Sequence, residues 1–365
     1  MKEIIPVLMI GILILSGLGV GAQKSVTKES GSSGIDEKLD YTHPVLVEAC
    51  TATFCEPCAI AAAVMNDIYE SGEYNFSYVA LVKDENPYAN ARTNELNAFI
   101  IPDYVFDGGV TRYVGSDGLP EAYTTRLDQC GARSVANITL DLQAIWIGGG
   151  KIDITLDLQN NENTPYSGHL HVYVTEIVSR WDTYLGEPYH FAMIGNYPLN
   201  TKVNTPAGEI SQYKTVWDGN KYGVGDIQKD NIMVIATVFD AGTKYVDETI
   251  AAAPVEKPIL YIQPLTNSLF RMKIKINNSG SLNATDLRWS IECDGKGIFL
   301  GKNTSGGPEN IPINGSVTVS SNLIFGVGPT AITVRAWMPD GLSDVRKQSA
   351  FVLLFYIFLK ADTTL

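Results

Sequence analysis

Two cysteines two residues apart, Cys55 and Cys58, stand where one periodicity gives way to another. Before them, Val45 to Ala49 is a short apolar run of the kind that forms a buried strand. After them, Ala59 to Tyr69 carries Ile60, Val64 and Ile68 at i, i+4 and i+8, the spacing of one helix face. A chain that turns from strand to helix at such a pair puts the first sulfur at a helix N-terminus. Free N–H groups and the helix dipole favour a thiolate there. The second sulfur lies one turn inside, within reach of a disulfide, and thiol–disulfide exchange is the chemistry this placement suits.

Downstream, Phe76 to Val82 reads as a second strand and ends in Lys83-Asp84-Glu85-Asn86-Pro87. Tyr88 to Ile100 can form a helix, and Ile101-Pro102-Asp103-Tyr104-Val105-Phe106-Asp107-Gly108-Gly109 follows. Leu119 to Gln129 reads as a closing helix stopped by Gly131 as a C′ residue. This succession, over residues 43–133, resembles the thioredoxin family. The resemblance implies a cis bond before Pro102, with Pro102 against the disulfide and shaping the groove for a substrate strand. It implies that Cys55 attacks a substrate disulfide and Cys58 resolves the mixed disulfide. A buried acid beneath the cysteines is also implied. Glu48, one residue out of register, is the candidate to relay a proton to or from Cys58. Phe54, Glu56 and Asp103 depart from the family pattern of Trp, Gly and Thr. The Glu56 carboxylate beside the attacking sulfur opposes the thiolate and predicts a weaker oxidant. No organic cofactor is implied, because the electrons travel in the sulfurs. The partners implied are protein thiol or disulfide substrates and an electron donor.

The chain of 365 residues is too long for one ordinary domain. A formal net charge of −13 and the lack of any basic block exclude a nucleic-acid partner. Residues 1–22 have Lys2, an apolar stretch from Ile4 to Val20 and a small-residue end at Val20-Gly21-Ala22. They read as a signal peptide or as an uncleaved N-terminal anchor, so the expectation is an exported protein, secreted or attached to the outer face of the membrane. In an oxidising compartment Cys55 and Cys58 rest as a disulfide. Cys293, on the apolar face of an alternating strand, and Cys130, three residues from Leu127, read as buried thiols. Cys50 reads as an inert thiol at the end of a buried strand. The sequons at Asn75, Asn137, Asn277, Asn283, Asn303 and Asn314 are compatible with surface glycosylation.

Residues 23–42 are polar, with Gly31-Ser32-Ser33-Gly34 inside, and read as a flexible spacer. From Ser134 the period becomes alternating, as in Val135 to Leu142 and Lys151 to Leu158, and no long helix follows. The expected fold class is therefore multidomain. An α/β thioredoxin-like fold (43–133) is followed by two all-β sandwich domains, 134–253 and an immunoglobulin-like 254–365. The turn from Asn278 to Thr285 resembles that of cell-adhesion-related sandwiches in prokaryotic surface proteins. The apolar run Ala350 to Leu359 reads as the closing strand of the last sandwich, because its ten residues fall short of the ~20 a membrane helix needs.

Other constellations are weaker. His169 and His171 share one face of a strand, with His190 and Glu187 nearby in sequence, and could hold a metal. Sheet-surface histidines are the preferred reading, and no metal is expected. A cysteine hydrolase would need a histidine beside Cys55, and the segment offers only His43 at its start. Two functions from different classes remain. One is an exported thiol–disulfide oxidoreductase. The other is a surface adhesion or binding protein in which the Cys55–Cys58 disulfide is structural and the β modules hold a surface-protein partner.

Overall fold

Every residue of β1 (Val45–Thr51) is buried, as suits a strand with neighbours on both edges and layers on both faces. The structure, a computed structural model, describes residues 41–339 and 341–360. The proposed targeting segment and nearly all of the spacer lie outside the described residues. Helix α1 (Glu56–Ser71) follows β1, with Pro57 in its first turn, where a missing N–H costs nothing. It ends at Gly72, which is left-handed and donates its N–H to the Tyr69 carbonyl. Its Ala61, Met65 and Ile68 pack on Val45, Val47 and Ala49. Strand β2 (Phe76–Val82) runs parallel to β1.

Helix α2 (Pro87–Glu95) is capped by Asn86, whose side-chain oxygen accepts the Tyr88 N–H while Nδ2 donates to the Met193 and Gly195 carbonyls. The helix stops well before Ile100, so Phe99 and Ile100 lie exposed in a loop, and the Ile101–Pro102 bond that follows is cis. Strands β3 (Asp103–Phe106) and β4 (Thr111–Val114) then form a hairpin beside β1. In α3 (Glu121–Gly131), Gly131 is the last helical residue and not the expected C′ stop. It is glycine because a Cβ there would lie 2.3 Å from Cγ of Tyr41.

The next strands are β5 (Ile138–Gly148), β6 (Lys151–Asn160), β7 (Tyr166–Asp182), β8 (Pro188–Met193), β9 (Asn200–Thr205), β10 (Ile210–Asp218), β11 (Ile232–Asp240), β12 (Val246–Ala252) and β13 (Val255–Glu256). Strand β8 lies parallel beside β2, with Ala192 opposite Ala80. A single nine-stranded sheet results, in the order β12-β11-β7-β8-β2-β1-β3-β4, with β9 also on β7. A four-stranded sheet, β10-β6-β5-β13, covers part of it. Ile152, Ile154, Leu156 and Leu158 alternate inward from β6 onto Leu170, Val172 and Val174 of β7.

This arrangement corrects the fold class expected from the sequence. An α/β thioredoxin-like fold followed by separate sandwiches does not form. Strands β1–β4 are four of the nine strands in a sheet that continues directly into β7, β11 and β12. Of the described residues 52% are strand and 13% helix, so the fold is predominantly β, with three α-helices among them. The motif order is local information. The β2–β8 junction joins residues more than a hundred apart and leaves no local trace, which is why the sequence suggested a separate unit.

The remaining strands are β14 (Leu260–Ile262), β15 (Ser268–Leu269), β16 (Lys273–Asn278), β17 (Ala284–Asp294), β18 (Ile298–Leu300), β19 (Asn303–Ile311), β20 (Ser316–Ser320), β21 (Phe325–Trp337), β22 (Ser343–Leu354) and β23 (Tyr356–Leu359). A three-stranded and a seven-stranded sheet enclose Ile274, Ile276, Leu287, Ile291, Ile332 and Val334. Asn278, 1% exposed, organises the turn that follows it. Its Nδ2 donates to the Leu282 and Ile311 carbonyls, and its Oδ1 accepts the Ile259 and Gly280 N–H groups. A Cβ on Gly280 would lie 2.2 Å from the Lys257 carbonyl oxygen. The run Ala350 to Leu359 is a hairpin and not one closing strand, with Leu353 opposite Tyr356. Folding back lets Ala350, Val352 and Ile357 all reach the core from two adjacent strands.

Candidate functional site

Cys55 is the N-cap of α1, and it forms a disulfide with Cys58 across a Cα–Cα distance of 5.2 Å. Cys55 is 7% exposed and Cys58 fully buried, and both pack with Ala52 and Ile101. The approach to the pair is fixed from two sides. Tyr189, on β8, donates its hydroxyl to the Ala52 carbonyl (2.9 Å) and shares a 2.8 Å hydrogen bond with the Thr51 hydroxyl. The Thr53 N–H and hydroxyl both donate to the Asp84 carboxylate. Pro102 is buried, follows Ile101 on the cis bond, and accepts the Gly115 N–H on its carbonyl at 2.8 Å. Glu56 is exposed.

Glu48 is fully buried on the β1 face that also carries Leu46 and Cys50. Arg92 donates to both carboxylate oxygens, at 2.7 and 2.9 Å, and the Tyr173 hydroxyl donates to Oε1 at 2.7 Å. Burial, then the Glu48 charge, hold the Tyr173 phenol well above its usual pKa, so it stays a donor. Among the described residues no hydrogen bond joins Glu48 to either cysteine. The sequence-predicted residues therefore divide. Cys55, Cys58 and the Ile101–Pro102 step come together, whereas Glu48 serves a separate ion pair.

Beside that ion pair is a cleft of about 420 Å³ lined by Arg92, Leu96, His169, His171, Phe239 and Lys244, among others. His171 is buried, and burial with Arg92 nearby lowers its pKa far below the ordinary range, so its imidazole is neutral. The His169 and His171 rings lie 4.9 Å apart, and His169 Nε2 is 2.5 Å from the Asn200 side-chain oxygen. His190 is on β8 opposite Val178. Among the described residues no three His, Cys, Asp or Glu side chains gather in a way that could hold a metal.

His43 bonds Asp107 through Nε2 at 2.8 Å at the opposite end of β1 from Cys55. The seven extended residues of β1, at ~3.3 Å each, keep it from acting as a base there. The free thiols of Cys50, Cys130 and Cys293 are all buried. Burial raises them to about 12, 12 and 11, so none offers a thiolate near neutral pH.

Sequence reasoning missed Tyr189, Arg92 and Tyr173, whose partners lie 137, 44 and 125 residues away. Asp84 stood in the turn that ends β2, with nothing to mark it as an anchor for Thr53. The oxidoreductase expected from the cysteine pair needs correction as well. The pair is a covered disulfide, the expected proton relay is engaged elsewhere, and no redox chemistry follows from this geometry.

A titrating group lies on β12. The half-buried Glu248 carboxyl is pushed up to about 7, chiefly by burial and despite the Thr249 N–H on Oε1. A carboxyl whose pKa rises on folding leaves stability intact below its unfolded value, near 4.5, and lowers it as pH climbs through about 7. Glu248→Gln should therefore stabilise the chain at about pH 8, by on the order of 1–2 kcal/mol after solvent screening, and be near neutral at about pH 4. Urea unfolding at both pH values checks this, and an identical effect at both would count against it.

The sequence matches no protein-family model and none of the curated proteins. Among solved structures it is similar to HBP35 of Porphyromonas gingivalis at 12% identity and TM-score 0.46, over 86% of this chain and 99% of that one. It is similar to protein AGR_C_4864 from Agrobacterium tumefaciens at 11% identity and TM-score 0.38, over 58% and 95%. A domain of the outer membrane lipoprotein Omp28 from Porphyromonas gingivalis shares 18% identity at TM-score 0.22, over 33% and 90%. At such identity and superposition none of these likenesses fixes a family or an activity, and membership of the thioredoxin family, suggested by the motif order, is not supported.

Proposed function

We propose that this is an exported binding protein whose recognition face is built around Cys55–Cys58 as a structural disulfide. The observation that carries the reading is a ring of exposed apolar side chains around a covered disulfide. Phe54 is 66% exposed, Phe99 77% and Ile100 70%, with Ile60 and Leu119 also open to solvent. Phe54 precedes Cys55, Phe99 and Ile100 lead into Ile101 against the disulfide, and Gly118 brings its loop onto Ile60. Apolar groups gathered this way mark a contact site better than scattered ones do. Strand β4 is an edge of the nine-stranded sheet and ends beside Pro102, so an extended polypeptide segment of a surface protein is the partner class that fits.

The test is selection of displayed peptides on the wild-type chain. Phe99→Ser with Ile100→Ser should leave stability within about 0.5 kcal/mol, because both are exposed. It should weaken the selected peptides at least about tenfold. Replacing both cysteines by Ala should cost about 2 kcal/mol of stability, the loop-closure value for so short a ring, and leave binding in place. Failure to enrich any peptide would reject the proposal. So would reduction of insulin by dithiothreitol at a rate that Cys55→Ser abolishes, since the disulfide would then be a redox centre.

A further inference from the structure

We infer that the end of the last sandwich carrying the β22–β23 turn docks on an anionic lipid bilayer. This surface lies far along the chain from the disulfide and goes beyond the binding function proposed above. Four rings run across this end in series. Phe270 and Phe355 are 5.1 Å apart, Phe355 and Phe325 5.0 Å, and Phe325 and Phe299 6.1 Å. Backbone bonds hold their segments together, with the Phe270 N–H on the Phe355 carbonyl and the Ile324 N–H on the Phe270 carbonyl. Phe299 is 66% exposed, and Leu300 and Leu354 about half.

Folding does not explain these residue choices. Leu354, the first residue of the two-residue turn, has φ 57°, and Phe270 has φ 65°. Both are bulky apolar side chains in the left-handed region, where Gly, Asn or Asp would be easier, and both are exposed. Backbone strain combined with exposed apolar surface points to a purpose outside the fold.

Charge decides what covers the surface. Arg271 follows Phe270, while Lys296 and Lys302 bracket Phe299 and Leu300, and all three are exposed. No acid lies between Lys296 and Lys302, nor from Leu265 to Leu282, nor from Ser320 to Trp337. The nearest along the chain are Asp294 and Glu292, both on β17, opposite Ala331 and Asn303. A basic rim around an aromatic tip, on a chain of net charge −13, complements an anionic surface. A two-fold contact between copies would set the three basic groups against themselves. Exposed Phe and Leu bordered by Lys and Arg are the combination that seats at the headgroup–acyl boundary of an anionic bilayer.

The experiment places an indole at the tip with Phe355→Trp in the full chain. The wild-type signal of the five native tryptophans is subtracted. Vesicles of brominated phosphatidylcholine mixed with phosphatidylglycerol should quench the added emission, whatever else holds the chain at the bilayer. Arg271→Gln, Lys296→Gln and Lys302→Gln should each lower the partition about fivefold. An added emission untouched by brominated chains at lipid excess would overturn the inference. So would a dimer without lipid, seen by sedimentation, in which the indole at 355 is already shielded, because the tip would then meet a second copy.

Discussion

Glu48→Ala should destabilise the folded chain by about 3 kcal/mol, because it leaves the Arg92 guanidinium with most of its charge uncompensated in the interior. Glu48 is fully covered, and the Arg92 side chain is 11% exposed. The loss is held below the upper end of such effects because Glu95 also pairs with Arg92, at 3.1 Å, from a position open to water. The Tyr173 hydroxyl loses its acceptor in the same step. Replacing both partners, Glu48→Leu with Arg92→Met, should cost much less than Glu48→Ala alone, since the desolvated charge disappears with its partner. Urea unfolding followed by far-UV circular dichroism measures all three variants. A loss below about 1 kcal/mol for Glu48→Ala would mean that water reaches Arg92 and that the pair is not an interior one.

The local half of this structure was legible and the long-range half was not. Strand β2 spans the residues its apolar run predicted, and Pro57 and Gly72 bound α1 as helix-end chemistry requires. The disulfide followed from two cysteines at a helix start. The end of α2 could have been read correctly. Asn97 takes a left-handed φ of 55° just after the helix, and asparagine is among the residues suited to that position. Other features had no local trace. The partners of Glu48 come from α2 and β7, and the side chain that anchors the disulfide loop comes from β8. The β7 and β8 contacts depend on β8 lying beside β2, a parallel junction across a long crossover that hydrophobic periodicity does not encode, whereas Arg92 reaches Glu48 from α2 directly. Glu48 was accordingly assigned to the cysteines, its neighbours along the chain, although its side chain points to the other face of the sheet.

Asp107→Ala should cost about 4 kcal/mol, the largest loss expected of a single substitution in the nine-stranded sheet. The carboxylate is fully buried, and three separate donors use it. His43 Nε2 lies 2.8 Å and Arg133 3.2 Å from Oδ2, and the Leu46 N–H is 3.0 Å from Oδ1. Its backbone adds a second cost, because φ is 46°, a value aspartate tolerates better than alanine does. Asp107→Asn keeps the backbone preference and an oxygen for Leu46 but removes the charge facing Arg133, so about half the loss should remain. The consequence extends beyond the β3–β4 hairpin. Arg133 also donates to the Val246 carbonyl, and the Val246 N–H donates to the Asp107 carbonyl at 3.3 Å. The end of α3 and the start of β1 thus meet at the Asp107 carboxylate, and the start of β12 joins them through the Asp107 backbone carbonyl and Arg133. Hydrogen exchange should therefore accelerate at Leu46 and Val246 together in Asp107→Ala. Faster exchange at Leu46 with Val246 unchanged would show that β12 is held independently, and that Asp107 does not couple the two parts of the sheet.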